Sequence, residues 1–371
     1  MNRTSHRVAA GIGAAIACLI PAGCVAAQPA PSPVESATPV TPATPITPTA
    51  PTAQPAEPTV IADDLGVPWS VVFYEGTALV SERDTARIVE IGTDGAVREV
   101  GRIDAARPAG EGGLLGLAVH EGLLYAYYTA ASDNRVERFE LRGDPGGLSL
   151  GPGQLVLQGL PSAGNHNGGR IAFGPDGLLY VTAGDAGRRD SAQDLESLAG
   201  KILRITAEGA APADNPFPGS PVYSYGHRNP QGLAWDAAGT LYASEFGQNT
   251  WDELNVIEPG GNYGWPEVEG IAGRAGFIDP VQQWEPDDAS PSGMAFLDGR
   301  LYLANLRGER LREVPLSDLA TSSERFVEEY GRLRDVAVAP DGSLWLLTNN
   351  TDGRGTPRPG DDRILRIEPS R

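Results

Sequence analysis

The feature that most constrains the fold is a repeat that occurs six times after residue 59. Each copy has an apolar strand, a turn with a glycine, a second strand with a Leu-Tyr or similar pair, and a third, half-apolar strand. The six turn glycines are Gly76, Gly122, Gly177, Gly239, Gly299 and Gly342. Such repeats of three or four strands are typical of β-propellers. The sequence therefore predicts an all-β fold, a six-bladed β-propeller with four-stranded antiparallel blades.

A solenoid is the main alternative for repeats of this length. The spacing between copies varies and the strands within a copy are linked as hairpins, which favours the propeller. A propeller must also close into a ring. The segment Thr59–Ala62 precedes the first copy and is predicted to add a strand to the last blade.

The N-terminal part of the chain is predicted to be a targeting segment and a linker. Residues 1–27 start with basic residues, continue with an apolar stretch and end in small residues, as secretory signal peptides do. Ordinary cleavage before Gln28 and lipidation of Cys24 are both open. Residues 28–58 are dominated by Pro, Thr and Ala and are predicted to be a disordered linker. We expect an exported propeller domain, 59–371, that is lipid-anchored outside the cell membrane, secreted or periplasmic.

Charge excludes one class of partner. The chain has 48 acidic and 29 basic residues, a net charge of -19, and no basic run. Nucleic-acid binding needs clustered Lys and Arg, so DNA and RNA are excluded as primary partners. Membrane contact is expected only through the N-terminal lipid. Lys201 is the sole lysine, which we interpret as a bias of genome composition.

Polar residues recur where the strands of successive copies begin or end. These positions lie on one rim of a propeller, so their side chains converge on one mouth of the central channel. Convergent polar groups at a concave surface are typical of an active site. The residues predicted for this rim are Glu111, His166, Asn167, His227, Arg228, Asn229, Ser290, Ser292, Arg332 and Arg334.

Hairpin geometry pairs some of these residues. Antiparallel pairing about the turn at Gly177 places His166 opposite Asp185, and a carboxylate beside an imidazole favours a basic ring. His166 is the only one of the four histidines with a predicted acidic partner. In the fourth copy, Asn229 is predicted to lie opposite Phe246 and Gly247. Carbonyl oxygens there suit a hard cation such as Ca²⁺, although ordinary turn chemistry remains an alternative.

Three arginines from different copies are predicted to share the rim. They are Arg307, Arg332 and Arg334. Guanidinium groups bind carboxylates through two parallel hydrogen bonds, so an arginine cluster in an acidic protein indicates a small anionic ligand.

Longer motifs carry a resemblance to a known family. The segments GEGGLLGLAVH, HNGGRIAFGPDGLLYVTAGDAGR, YGHRNPQGLAWD, SEFGQNTWDELNVIEPGGNYGWP, PSGMAF and RLRDVAVAPDGSLWLLT together resemble the glucose/sorbosone dehydrogenase family. Its soluble members use pyrroloquinoline quinone (PQQ) and Ca²⁺ on a six-bladed propeller. The similarity runs in order through residues 60–371. It implies oxidation of the C1 hydroxyl of an aldose to the lactone, with electrons passed to an external acceptor that the sequence does not identify.

The resemblance also implies a role for individual residues. His166 would be the general base, Asp185 would orient it, and Arg228 would lie against the quinone oxygen. The residues implied in binding PQQ are Glu111, Asn229, Arg307, Arg332 and Arg334. The carbonyls of Gly247 and Gln248 would bind the Ca²⁺ that contacts PQQ. Glu253 and Tyr263 match positions that hold a second, structural Ca²⁺.

Departures from the family pattern indicate one branch. Arg307 stands where many members have Lys, and Glu111 where some have Gln. Short loops between the blades favour the aldose sugar dehydrogenase branch, with the monomer and the dimer both open. Two other functions stay as alternatives: a Ca²⁺-dependent sugar lactonase, which needs an axial metal lined by carboxylates, and a non-catalytic binding propeller.

Overall fold

The computed structural model describes residues 57–370, and in this range the chain forms a ring of six antiparallel sheets. The predicted six-bladed propeller is thus confirmed. The predicted signal peptide, including Cys24, and all but the last two residues of the predicted linker lie outside the described residues. Within residues 57–370, no helix has the length and apolar character needed to cross a membrane.

Each of the first five blades is one sheet whose strands follow the chain from the axis outward, and strand β1 (Thr59–Ala62) precedes the first blade. The first blade contains β2 (Pro68–Tyr74), β3 (Thr77–Glu82), β4 (Arg87–Ile91) and β5 (Val97–Arg102). The second blade contains β6 (Leu114–His120), β7 (Leu123–Thr129), β8 (Asn134–Arg142), β9 (Ser149–Leu150) and β10 (Gln154–Leu160). The third blade contains β11 (Ile171–Phe173), β12 (Leu179–Ala183), a 3₁₀ turn (Arg189–Ala192), β13 (Lys201–Ile205) and β14 (Val222–Tyr225).

The remaining blades follow the same order. The fourth blade contains β15 (Pro230–Trp235), β16 (Leu241–Glu245), β17 (Asp252–Ile257) and β18 (Gln282–Trp284). The fifth blade contains β19 (Pro291–Leu297), β20 (Arg300–Asn305), β21 (Arg310–Pro315) and β22 (Ser323–Arg325). The sixth blade contains β23 (Leu333–Val338), β24 (Leu344–Thr348) and β25 (Ile364–Ile367), with β1 as its outer strand.

Strand β1 closes the ring as predicted. It pairs antiparallel with β25, with Thr59 opposite Arg366. The last blade is therefore built from both ends of the propeller domain, and its fourth strand is supplied before the first blade begins. Closure in this way leaves only short strand edges exposed to solvent.

Packing between blades explains why the strands read as apolar runs. Successive residues of a strand point to opposite faces of the sheet. In β7, Tyr127 packs in a cluster with Val181 of the third blade, whereas Tyr128 packs in a cluster with Leu79 of the first blade. Both faces of a middle strand are therefore buried between neighbouring blades.

The first strands line the axis, and five of them contain an irregularity near the rim. The pairing register shifts between Pro68 and Ser70, Leu114 and Leu117, Pro230 and Gly232, Pro291 and Met294, and Leu333 and Asp335. Bulges of this kind turn a side chain away from its regular direction and occur next to active sites. The extra residues at three of these bulges are Trp69, Gln231 and Arg334, and all three line the pocket described next.

Candidate active site

A cavity of about 430 Å³ lies at the rim where the strand ends converge. Its lining residues come from blades one, two, three, four, five and six, as the repeat predicts. They are Trp69, Arg83, Glu111, His166, Arg228, Asn229, Gln231, Phe246, Gly247, Gln248, Asp252, Pro286, Ser290, Leu306, Arg307, Arg332, Arg334 and Arg354. Of the twelve site residues singled out from the sequence, nine line this cavity, and Asp185, Glu253 and Tyr263 lie behind its wall.

His166 and Asp185 form the predicted pair. His166 Nδ1 lies 2.7 Å from Asp185 Oδ1, and Asp185 is fully buried. The other carboxylate oxygen accepts a hydrogen bond from Trp265 Nε1 at 2.9 Å. Burial by itself would raise the pKa of Asp185, but the hydrogen bonds from His166 and the Gly187 amide outweigh it and lower that pKa. Asp185 is therefore a charged, fixed partner for the imidazole.

Arg228 defines the tautomer of His166. Arg228 Nη2 lies 2.7 Å from His166 Nε2. A guanidinium can only donate, and the Asp185 carboxylate can only accept, so Nδ1 carries the proton and Nε2 carries the lone pair. His166 lines the cavity, and in this tautomer the lone pair of Nε2 accepts the hydrogen bond from Arg228.

Further contacts hold Arg228 in place. Its Nη1 donates to the Phe246 carbonyl at 3.1 Å and its Nε donates to Gln248 Oε1 at 3.1 Å. The guanidinium lies 5.5 Å from the ring centre of Trp265. Burial lowers the pKa of Arg228. Every nitrogen of this cation has a partner, so its position is set before any ligand binds.

The backbone of His166 is strained and held from the neighbouring blade. Its φ is 55°, in the left-handed region that residues other than glycine rarely adopt. Glu111 Oε2 accepts the His166 amide at 3.0 Å, and Glu111 Oε1 pairs with Arg354 at 2.9 Å. Glu111 therefore bridges the base and a loop of the sixth blade.

The opposite wall carries Arg332 and Arg334. Arg332 Nη2 lies 2.9 Å from Asp352 Oδ2, and Arg334 Nη2 lies 3.9 Å from the same oxygen. Arg334 otherwise bonds to neutral groups, Asn349, Gln231 and Ser292. Burial lowers the pKa of Arg334 to about 9. Arg307 also lines the cavity, but its side chain is 60% exposed and pairs with Asp287 at 2.6 Å.

The segment predicted to bind a cation turns its amides inward. Asp252 Oδ1 accepts the Gly247 amide at 2.8 Å, and Glu269 accepts the Gln248 amide at 2.7 Å. The carbonyls of Gly247 and Gln248 receive no hydrogen bond within the described part of the chain. A Cβ at Gly247 would lie 1.7 Å from the Trp251 carbonyl, so only glycine fits there. Burial raises the pKa of Asp252 to about 6.

A second acidic group lies beneath this segment. Glu245 and Glu253 are opposite each other across β16 and β17, and burial, followed by the charge of Glu245, raises the pKa of Glu253 to about 8. Tyr263 lines the same small cavity. Its hydroxyl is already used, because it donates to the Val256 carbonyl at 2.6 Å and accepts the Glu258 amide at 2.8 Å. Of Tyr263, only the backbone carbonyl is available as a ligand.

Three residues predicted for the rim, Asn167, His227 and Ser292, do not line the cavity. The prediction is wrong for His227. Its side chain is fully buried below the pocket, where its ring nitrogens lie 2.7 Å from Glu245 and 2.8 Å from Ser224. The expectation that His166 alone has an acidic partner is wrong for the same reason. Because side chains alternate in an extended segment, Arg228 faces the pocket while its neighbour His227 points into the protein.

An ion pair connects residues in or next to the first strands of several blades. Arg170 Nη1 lies 3.0 Å from Asp335 Oδ2 and donates to Ser70 Oγ at 3.2 Å, while its Nε donates to the Gln231 carbonyl at 2.9 Å. These groups come from four blades. The lactonase alternative needs several carboxylates at the axis, and this part of the axis contains an arginine paired with one.

Several pocket residues were not predicted from the sequence. Arg83 follows β3 just as Asp185 follows β12, so the rule used for the other copies would have found it. Arg354 also lines the cavity and lies in the long loop between β24 and β25, where Asp352 contacts the pocket residue Arg332. Lys201 has a defined structural place: its Nζ donates to the carbonyls of Ser191, Ala192 and Ala199 at 2.9, 3.0 and 2.6 Å.

Comparison with known proteins connects this geometry to a family. A family model described as Glucose / Sorbosone dehydrogenase matches residues 65–365. The aldose sugar dehydrogenase YliI of Escherichia coli is 30% identical over 342 residues, covering 79% of this chain and 90% of that protein. Quinoprotein glucose dehydrogenase B of Acinetobacter calcoaceticus is 34% identical over 259 residues, which are 59% of this chain and 54% of that protein.

A solved structure shows the same architecture. The PQQ-bound form of an aldose sugar dehydrogenase from Streptomyces coelicolor is 50% identical and has a TM-score of 0.81, over 85% of this chain and 99% of that one. Both the sequence and the fold are therefore shared along nearly the whole propeller.

Proposed function

The chain belongs to the glucose/sorbosone dehydrogenase family, and from this premise we propose that it is a PQQ- and Ca²⁺-dependent aldose dehydrogenase. In this proposal it oxidises the C1 hydroxyl of an aldose to the lactone. The observation that carries the proposal is the arrangement of the pocket: a neutral histidine held by Asp185 and Arg228 faces a wall with two buried arginines.

The charge of the pocket fits PQQ, which carries carboxylates. Arg332 and Arg334 share the single carboxylate of Asp352, and Arg332 Nε is buried without a hydrogen-bond partner in the described chain. A buried donor without a partner and an excess guanidinium charge are both satisfied by an anionic ligand. Arg332, Arg334 and Arg307 would hold its carboxylates, with Asn229 and Glu111 nearby.

When bound, PQQ supplies a quinone that accepts a hydride from C1 of the sugar. The chain supplies the base: His166 Nε2 takes the proton of the C1 hydroxyl, and Asp185 stabilises the imidazolium that results. Arg228 now donates to Nε2, so a substrate hydroxyl must take over that contact as it binds. The guanidinium then remains beside the reacting atoms as a fixed positive charge, which stabilises developing negative charge.

The donor set also supports Ca²⁺. The carbonyls of Gly247 and Gln248 and the nearby Asp252 are oxygen ligands of the kind this ion binds. Beneath them, a cation between Glu245 and Glu253 would balance the negative charges of these two buried carboxylates, which otherwise repel each other. We propose these as the positions of the cofactor-linked and the structural Ca²⁺, the second with the Tyr263 carbonyl.

A reconstitution assay tests the proposed function. The purified protein is depleted of metal and cofactor, and aldose oxidation is measured with an artificial electron-accepting dye. We expect no activity without additions, activity when PQQ and Ca²⁺ are added together, and loss of activity and release of PQQ after chelation. Full activity after exhaustive chelation would contradict the calcium assignment, and inactivity toward every aldose tested with both additions present would contradict the function.

We also propose that the protein is exported, on the basis of the N-terminal sequence pattern. Mass spectrometry of the mature protein distinguishes the two processing routes, since lipidation adds a diacylglyceryl group to Cys24. If Cys24 carries the lipid, the Cys24→Ser variant should lack the anchor and appear in the medium. A mature chain that still starts at residue 1 would contradict export through this segment.

A further inference from the structure

Two buried guanidinium groups depend on one carboxylate. Asp352 Oδ2 lies 2.9 Å from Arg332 Nη2 and 3.9 Å from Arg334 Nη2, and the three side chains are between 2 and 8% exposed. The other oxygen of Asp352 accepts the amide of Arg354 at 2.9 Å. Asp352 therefore has all its contacts inside the protein and is fixed where the two cations meet.

The charge that remains on the two arginines is not balanced by the neighbouring Glu111, because that carboxylate already pairs with Arg354 at 2.9 Å. Arg334 otherwise bonds to Asn349, Gln231 and Ser292, which are neutral. Arg83, which lies on the same side of the cavity, has its own partner in Asp84 at 2.6 Å. The pair of arginines and Asp352 together keep one unit of positive charge out of water, which is costly for the folded protein.

We propose that Asp352 is a built-in counter-ion, which stabilises Arg332 and Arg334 in the cofactor-free protein and, because it competes for the same guanidinium groups, weakens the binding of an anionic ligand. The identity of that ligand as PQQ rests on the proposed function. The role of Asp352 itself rests on the distances and the burial given above.

A counter-ion role predicts that one substitution lowers the stability of the cofactor-free protein and raises its affinity for an anion. Asp352→Asn keeps the size of the side chain but removes its charge. Two buried arginines then lack a counter-ion, so the cofactor-free protein becomes less stable. The same loss raises the positive charge available to a ligand, so an anion binds more tightly. A residue that only positioned Arg332 would weaken both stability and binding when replaced.

The experiment measures both quantities in wild type and Asp352→Asn. Thermal unfolding of the cofactor-free protein should shift down by about 5 °C. Titration with PQQ in the presence of Ca²⁺, followed by quenching of protein fluorescence, should show a dissociation constant about ten-fold lower. Benzene-1,2,4-tricarboxylate serves as a second probe without redox chemistry, and it should raise the unfolding temperature of the variant more than that of wild type.

A matched control separates the site from general effects of losing a buried carboxylate. Glu313 is a buried carboxylate, 2% exposed, that pairs with Arg325 at 3.1 Å and does not line the cavity. Glu313→Gln should lower the unfolding temperature without changing the response to either anion.

A double variant keeps the proposal testable if Asp352→Asn folds poorly. Asp352→Asn with Arg332→Met removes one positive and one negative charge, so it should be more stable than the single variant. Weaker binding of both anions by Asp352→Asn, unchanged stability of that variant, or a double variant less stable than the single would each overturn the counter-ion role. If wild type binds the tricarboxylate but not PQQ, the proposed function fails while the counter-ion test still stands.

Discussion

The two walls of the pocket are built on different principles. On the wall with His166, each polar group has a partner: Asp185 holds Nδ1, and Arg228 is tied to Phe246 and Gln248. On the wall with Arg332 and Arg334, two cations share one carboxylate and a buried donor is left without a partner among the described residues. The first wall is balanced and the second carries excess charge.

The difference shows how one cavity can separate chemistry from ligand binding. A base must be oriented before the substrate arrives, so its contacts are complete in advance. A wall that holds an anion gains most from contacts that form only with the ligand, so part of its hydrogen-bonding capacity stays unused until then. The unpaired charge of the second wall lowers the stability of the ligand-free protein and increases its affinity for an anion.

The largest effect is expected from a substitution in the wall that contains His166. His166→Ala removes the base, and turnover should fall by roughly 10²–10⁴-fold because general-base catalysis contributes about that much. The PQQ concentration for half-activation should change little. His120→Ala is the matched control, since His120 stacks on Phe173 outside the cavity. Normal turnover of His166→Ala would remove His166 from the mechanism.

A second prediction concerns Lys201, which supports the same wall, and the pH dependence of the free energy of unfolding. Lys201 lies at the start of β13 and holds the carbonyls of the segment that follows Asp185. Burial lowers its pKa from 10.5 to about 8. Between these values the folded protein binds fewer protons than the unfolded chain, so the free energy of unfolding should rise with pH from about 8 to 10.5, by at most about 3 kcal/mol.

Lys201→Met should abolish this rise, because the variant has no group to titrate. Urea unfolding of wild type and variant at several pH values between 7 and 10.5 measures the difference directly, and other titrating groups cancel in the comparison. Parallel curves for the two proteins would show that Lys201 does not carry the effect.

A third prediction concerns the wall that contains Arg332 and Arg334. Arg334→Ala should raise the PQQ concentration for half-activation by about 10- to 100-fold, because hydrogen bonds to charged groups contribute about 1.5–3 kcal/mol. Turnover at saturating PQQ should stay near that of wild type. Arg366→Ala is the control: Arg366 lies in β25 and pairs with Asp341 and Glu368 away from the cavity. Equal shifts in both variants would refute the assignment.

The fold can be predicted from the sequence because each blade is specified by a local pattern of residues. Each copy carries strand periodicity and a turn glycine, and closure through Thr59–Ala62 follows from the need to complete the last blade. The rim could be predicted for a similar reason, since the two strands of a hairpin are in fixed register. His166 and Asp185 were found in this way.

Other features could not be predicted because they depend on non-local or irregular structure. Bulges at the starts of the first strands turn Trp69 and Gln231 into the pocket, and the periodicity of a regular strand gives no sign of them. Asp352 and Arg354 lie four and six residues past the end of β24, in a long loop whose path the strand pattern does not determine. His227 was placed wrongly because the position of a segment on the rim does not say which of two neighbouring side chains points outward.

The separation of the two walls is tested most directly by the double variant His166→Ala, Arg334→Ala, titrated with PQQ beside both single variants. If the walls act independently, the double variant should have the turnover of His166→Ala and the half-activating PQQ concentration of Arg334→Ala, because independent effects add. A double variant in which turnover falls no further than in Arg334→Ala alone, or in which the half-activating concentration returns toward wild type, would contradict the account.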